Sequence, residues 1–290
     1  MSERTHHGQR AGRNSGKRAG KSAGRSAGRH AGKGAGRHAG KSEEKQQAEL
    51  LYGLHTARAA LLNPARRIRA AWATTNALKK LEGAFHDSGV RAQVVHPKEL
   101  ARKLEPEAVH QGVLLKADPL PEPALGDVAA ADGIIVLLDQ ITDPHNIGAI
   151  LRSAAAFGVN AVITTRRHAP AATSGVLAKA ASGALEHVPL VKVTNLARAI
   201  EELRQAHDYA VWGLDSAAEG RLGCRSPAPR RVALALGAEG KGLRARTRSL
   251  CDALLRLDMP GAIHSLNVSN AAAISLFALH ESMKAREEKA

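Results

Sequence analysis

Three short segments of this 290-residue chain hold side chains whose types and spacing could do chemistry. The first is Asp139–Arg152, DQITDPHNIGAILR, in which Asp143-Pro144 stops a strand and Asn146 stands at a helix start. Arg152 follows in the second turn, so an amide and a guanidinium could face one pocket. Taken alone, the same residues read more simply as an N-cap and a surface arginine. The second segment is Leu236–Leu243, LGAEGKGL, where Gly237, Gly240 and Gly242 let the backbone turn sharply and approach a ligand. Glu239 is a carboxylate held among those glycines. The spacing is neither that of a phosphate loop nor that of a dinucleotide fingerprint, and an ordinary glycine-rich turn is as good a reading of the segment by itself. The third is Leu257–Ala271, LDMPGAIHSLNVSNA, in which Pro260 and Gly261 force a turn. Ser265, Asn267, Ser269 and Asn270 surround the apolar Leu266 and Val268, and these four polar groups exceed what one helix N-terminus needs.

The elements that must position these loops follow from hydrophobic periodicity. Ile134–Leu138 is an unbroken apolar run ending in Asp139, the signature of a parallel strand buried on both faces. Helices over Ile147–Phe157, Gly175–Ala181, Leu196–His207 and Ser269–Met283 alternate with strands over Ala161–Thr165, Ala210–Leu214, Val232–Leu236 and Leu254–Leu257. This alternation predicts an α/β fold with an open parallel sheet, and ligands of such sheets bind beyond the strand C-termini, where the three loops fall. Upstream, strands over Leu51–Gly53, Ile68–Ala73, Val90–His96 and Gly112–Lys116, with helices over His55–Asn63, Asn76–His86 and Lys98–Leu104, form a small α/β unit. Residues 118–132 carry three prolines and no periodicity, as a linker does.

Hydrophobic residues make up 44% of the chain, enough for two modest cores. No apolar run is long enough to cross a bilayer and no apolar segment follows the basic N-terminus, so neither a membrane anchor nor a secretory leader is expected. Cys224 and Cys251 lack metal-ligand spacing; they read as packing residues in a reducing cytosol, with no disulfide and no metal. The net charge of +15 is uneven, with +10 of it in residues 1–41. From Lys17 to Lys41 a basic residue recurs at every fourth position between small residues, with no apolar face to offset ordering entropy. Residues 1–48 are therefore expected to be a disordered basic arm suited to polyanions. A mitochondrial leader would need bulky apolar residues where this arm has only alanine.

Together and in order, the D-P-x-N-x-G-x-x-x-R, G-x-E-x-x-G and S-L-N-V-S patterns of these loops resemble the three signature motifs of the SpoU (TrmH-like) RNA 2′-O-methyltransferases of the SPOUT superfamily. The resemblance spans residues 133–290 with no departure at a motif position. Residues 49–117, including His110–Val113, are more loosely similar to the ribosomal-protein-like substrate-binding domain of members that modify large-subunit rRNA. The arm has no counterpart in the family pattern.

The resemblance implies a parallel α/β sheet closed by a deep trefoil knot, S-adenosyl-L-methionine held by the backbone around Gly237, Leu257 and Leu266, and a homodimer packed on the C-terminal helix. It further implies Asn146, Arg152, Glu239, Ser265 and Asn267 as catalytic residues. Arg152 would act as base, a demanding role for a guanidinium. Asn146 would orient Arg152 or the ribose, Glu239 would fix its loop and could also hold Arg152, and Ser265 and Asn267 would position RNA and cofactor. The implied substrate is RNA, foremost a guanosine of 23S rRNA. The rival readings are a tRNA ribose methyltransferase and a non-catalytic ribosome-assembly protein. A Rossmann dehydrogenase fails for want of a GxGxxG after a first strand.

The arm's charge generates the first prediction. Deleting residues 1–45 should leave the modified nucleotide and kcat unchanged while weakening RNA binding at low salt and flattening its salt dependence. Filter binding across a salt series measures this, and unchanged affinity from low to moderate salt would contradict it.

Overall fold

The computed structural model describes residues 48–106, 108–170, 175–223 and 228–288. The expectations for residues 1–47 of the arm and for Cys224 lie outside the described residues. The N-terminal unit is built from β1 (Glu49–Tyr52), α1 (Leu54–Leu62), β2 (Ile68–Ala73), α2 (Thr75–Lys80), α3 (Glu82–Ser88), β3 (Gln93–Val94), α4 (Pro97–Ala101) and β4 (Val113–Ala117). Its sheet runs β1-β4-β2-β3, with β4 antiparallel to both neighbours and β3 parallel to β2. Leu51, Ala57, Leu61, Phe85 and Leu115 form its main core.

Three expectations change in this unit and its linker. The helix read over Asn76–His86 is two helices, because Leu81 sits at φ −110° and ψ 11° and breaks the turn. The strand read over Val90–His96 shrinks to Gln93–Val94, an exposed edge with little to bury. The segment read as a structureless linker contains α5 (Leu125–Ala129), whose Asp127 side chain accepts from the Ala124 N–H at 3.0 Å. Five residues are too few for a helical period to show in sequence. Leu125 and Ala129 nevertheless pack into the core of the larger sheet.

The C-terminal unit continues with β5 (Gly133–Asp139), α6 (Pro144–Ala156), β6 (Ala161–Thr165), α7 (Gly175–Ala181), a single 3-10 turn (Ala184–Glu186), β7 (Leu190–Val193) and α8 (Leu196–His207). It ends with β8 (Ala210–Leu214), β9 (Gly220–Arg221), β10 (Arg231–Gly237), α9 (Ala245–Leu250), β11 (Ala253–Arg256) and α10 (Val268–Glu287). The seven strands order as β7-β6-β5-β10-β8-β11-β9, every pair parallel. β5 explains why its sequence shows no alternation. Ile134, Val136 and Leu138 point into the core under α6, α7 and α10, while Ile135 and Leu137 point into the core under α5, α8 and α9. Short β7, β9 and α9 were not legible in the sequence.

Cys251 packs at the edge of the second core. Burial first, then Asp252, pushes its thiol up to about 11, so it is not a nucleophilic thiolate near neutrality. No helix among the described residues is long and apolar enough to cross a membrane.

One close approach fixes the helix layer that carries the first loop. A side chain at Gly148 of α6 would overlap the Ala180 side chain and stand 2.8 Å from the Ala181 nitrogen of α7. Gly148→Ala gains about 1 kcal/mol of helix propensity, but overpacking against an immobile backbone costs about 1–3 kcal/mol. The net effect should be a loss of stability, larger for Gly148→Val, read from the midpoint of urea unfolding.

Candidate active site

The loops meet because of strand register. Gly237 at the end of β10 lies directly beside Asp139 at the end of β5, so the first and second loops leave the sheet side by side. The third loop leaves β11, which is separated from β10 by β8, and must cross those strand ends to enter α10 beside α6. Its main chain from Leu257 to Leu266 has no backbone hydrogen-bond partner among the described residues.

Asp139 is fully buried, and its carboxylate accepts from the Arg244 backbone N–H at 2.9 Å and from Arg244 Nε at 2.6 Å. A buried carboxylate is tolerated only when paired in this way. The pair anchors the far end of the second loop to β5. In sequence Asp139 shows only as the acid that ends an apolar strand, and Arg244 as one of many arginines. That placement of a charge against an apolar run was the available signal.

Between its anchors the second loop curls on itself. The Gly242 N–H donates to the Ala238 carbonyl at 2.8 Å, with Gly240 at φ 74° and Gly242 at φ 64°. Gly237 is needed because a Cβ there would strike the Gly242 carbonyl and the Leu243 nitrogen. This adds a reason to the ligand approach read from sequence. The glycine is required by the loop's own backbone, and the curled loop presents Glu239.

Glu239 Oε1 gathers three donors. Asn267 Nδ2 reaches it at 2.7 Å, Asn146 Nδ2 at 3.3 Å and the Val268 N–H at 3.3 Å. Asn267 Nδ2 also donates to Asn146 Oδ1 at 3.0 Å, so Asn146, Glu239 and Asn267 bond mutually across the three loops. Asn267 is at once the cap of α10, its Oδ1 accepting from the Ser269 N–H at 2.9 Å. The cap of α6 is Asp143, which accepts from the His145 N–H at 3.0 Å. Asn146 is therefore not the cap that the sequence suggested. It lies inside the first turn with its amide free for the cluster.

Other expected site residues are not bonded into this cluster among the described residues. Arg152 is exposed and has no hydrogen bond or ion pair among the described residues. Six residues along an α-helix from Asn146 it is displaced by about 9 Å and turned about 120° round the axis. Neither Asn146 nor Glu239 is bonded to it in this structure. Ser265 is exposed with no hydrogen-bond partner among the described residues. Leu257 is partly buried against the core, and Leu266 is 39% exposed beside the cluster.

The SpoU rRNA Methylase family profile matches residues 133–277, and the profile for RNA 2′-O ribose methyltransferase substrate binding matches residues 50–123. The chain is 38% identical over 239 residues to 23S rRNA (guanosine-2′-O-)-methyltransferase RlmB of Pasteurella multocida, covering 79% of this chain and 96% of that protein. The RlmB of Escherichia coli K12 is also 38% identical, with 79% and 97% covered. The chain belongs to the SpoU rRNA methylase family. It is an RNA 2′-O-ribose methyltransferase of that family, with the substrate-binding module at its N-terminal side. Among solved SpoU-type structures, AviRb of Streptomyces viridochromogenes in complex with the cofactor AdoMet superposes with a TM-score of 0.68 at 24% identity, covering 83% of this chain and 91% of that one. The AdoMet-bound rRNA methyltransferase of Sinorhizobium meliloti gives 0.65 at 21% identity, with 80% and 87% covered. These two likenesses are likenesses of fold.

The SpoU site is thus organised by one carboxylate oxygen that holds two loops and a helix cap together. Glu239→Ala should lower methyl transfer by about 100-fold, as misplacement of positioning groups does, while the exposed position leaves the thermal midpoint nearly unchanged. Single-turnover rates and circular dichroism on the same preparation test both halves.

Proposed function

We propose that this SpoU protein transfers a methyl group from S-adenosyl-L-methionine to the 2′-oxygen of a guanosine in 23S rRNA. The observation that carries this reading is the convergence of Asn146, Glu239 and Asn267 where the three motif loops meet. The relatives named for 23S rRNA guanosine support the substrate. We read residues 1–48 as the basic arm, 49–117 as the RNA-binding module, 118–132 as the connection and 133–290 as the methyltransferase domain.

The residues present fit the cofactor. The unpaired main chain between Leu257 and Leu266 offers N–H and C=O groups, and the half-exposed Leu266 offers an apolar surface beside them. Together with the backbone at Gly237 these groups would hold the cofactor. S-adenosylmethionine supplies a methyl already activated on a sulfonium: the O–C bond forms as the C–S bond breaks, and the 2′-hydroxyl proton passes to a base. What the protein must add is alignment and proton removal. Asn146 and Asn267 position the ribose edge and the cofactor, Glu239 holds both amides, and Ser265 reaches the RNA. Arg152 stands as the base or as the group that draws the substrate phosphate toward it.

The path of the third loop across the strand ends supports a trefoil knot in the C-terminal part. A homodimer is supported by α10, whose Ile274 and Phe277 are 47% and 50% exposed on the side away from the core. Phe157 packs edge-on against Phe277, with centroids 6.2 Å apart, widening that apolar face. A second subunit there would bring new neighbours to α6, the helix that carries the exposed Arg152. An rRNA substrate supports a cytoplasmic location.

Incubating the protein with labelled S-adenosylmethionine and separate rRNA and tRNA pools should label 23S rRNA at one guanosine ribose. Label confined to tRNA would reject the substrate. Arg152→Ala should lower kcat by at least about 100-fold while calorimetry finds S-adenosylhomocysteine binding intact. Loss of that binding in a folded variant would reject the role given to Arg152.

A further inference from the structure

The substrate-binding module is joined to the methyltransferase part by a buried charge cluster that the methyl-transfer chemistry does not use. Arg66, between α1 and β2, has a side chain only 2% exposed. Its Nη2 donates to Glu186 Oε1 at 2.8 Å, and its Nε lies 3.2 and 3.1 Å from the two Glu186 oxygens. Its Nη1 donates to Glu49 Oε2 at 2.7 Å and to the Asp118 carbonyl at 2.8 Å. Asn63 Nδ2 adds a third donor to Glu186, at 2.7 Å to Oε2. One guanidinium therefore grips the first strand of the module, the point where the chain leaves it, and the 3-10 turn after α7. Planar, two-oxygen pairing of this kind fixes direction as well as distance.

The contacts around it leave little room to slide. The Thr56 hydroxyl donates to the Ala178 carbonyl of α7 at 3.1 Å in a buried position. A Cβ at Gly175 would run into the Tyr52 ring, and one at Gly183 would stand 2.7 Å from the Ala59 methyl. Ala178 belongs to the same apolar cluster as Leu51, Ala57 and Leu61 of the module. Beyond α7, the close approach at Gly148 passes the constraint to α6, two residues from Asn146.

We propose that Arg66, Glu186 and Asn63 are positioning residues that lock the RNA-binding module to the α7–α6 layer, so that the module sets which ribose reaches the Asn146 cluster. A buried charge pair is weak evidence for stability and its geometric definition is the more useful property, since replacing such pairs by apolar side chains is often neutral. A module free to swing would still bind RNA, but would present the target ribose at a lower effective concentration. The inference rests on the assignment of this chain as an RNA ribose methyltransferase.

The test compares full-length wild type with Glu186→Ala, Glu186→Gln and Asn63→Ala on an unmodified 23S rRNA transcript, reading KM, kcat, the mapped methylation position, S-adenosylhomocysteine affinity by calorimetry and the radius of gyration by X-ray scattering. For Glu186→Ala the KM for RNA should rise about tenfold, methylation should spread to neighbouring riboses and the scattering radius should grow, with cofactor affinity held within about twofold. Glu186→Gln, which keeps a carbonyl for Arg66, and Asn63→Ala should fall between wild type and Glu186→Ala, and they decide the matter if the alanine variant does not fold. Folded variants with wild-type KM, target position and radius would overturn the inference. So would variants that lose cofactor affinity and RNA turnover in equal proportion, which marks the cluster as a fold element alone. If wild type itself methylates no rRNA, the functional assignment has failed and not the clamp.

Discussion

Glu239 Oε1 is the point on which the site depends, because it is the one acceptor shared by the first loop, the third loop and the cap of α10. A carboxylate oxygen that accepts three N–H groups strengthens each through its charge, and neutral acceptors are roughly half as strong. The arrangement also economises on side chains. Asn267 caps its helix through Oδ1 and organises the site through Nδ2, so the packing of α10 and the shape of the site cannot vary independently.

That oxygen can be presented to both loops only because the second loop is tied at both ends. Its start is set by the register of β10 against β5, and its finish by Arg244 on the buried Asp139. The exposed Glu239 cluster contributes little to global stability, as exposed polar contacts do. The Asp139–Arg244 pair contributes through the penalty that the buried Asp139 carboxylate would suffer if left alone, Arg244 being 42% exposed. Alignment and stability are thereby carried by different carboxylates on neighbouring strand ends.

A second division runs through the whole chain. The methyltransferase layer ends in loops open to solvent, whereas the contact between the module and that layer is glycine-lined and holds a buried charge pair. Openness at the loops suits a large nucleic-acid substrate. Rigidity at the module suits a device that must hold RNA in a fixed relation to one ribose. Both requirements meet in α6, which packs on α7 at one face and on α10 at another.

Much of the architecture was legible in sequence because its signals are local. The parallel strands β5 and β6 and the helices α7 and α8 follow from apolar runs and periods within single elements, and the three motif loops follow from residue types at short spacing. The short β9, α5 and α9 were missed because they carry neither an apolar run nor a period of their own. The sequence also named Asn146, Glu239 and Asn267 while leaving each with an ordinary explanation as cap or turn. Only the tertiary structure decided that Asp143 caps α6, that Asn146 is left free to bond Glu239, and that Arg152 is exposed and bonded to neither. Likewise Arg66, Glu49 and Glu186 carry no local mark of importance. A charged side chain becomes a structural pivot only when distant segments bury it, and burial is a property of packing between elements separated by up to 120 positions in the chain.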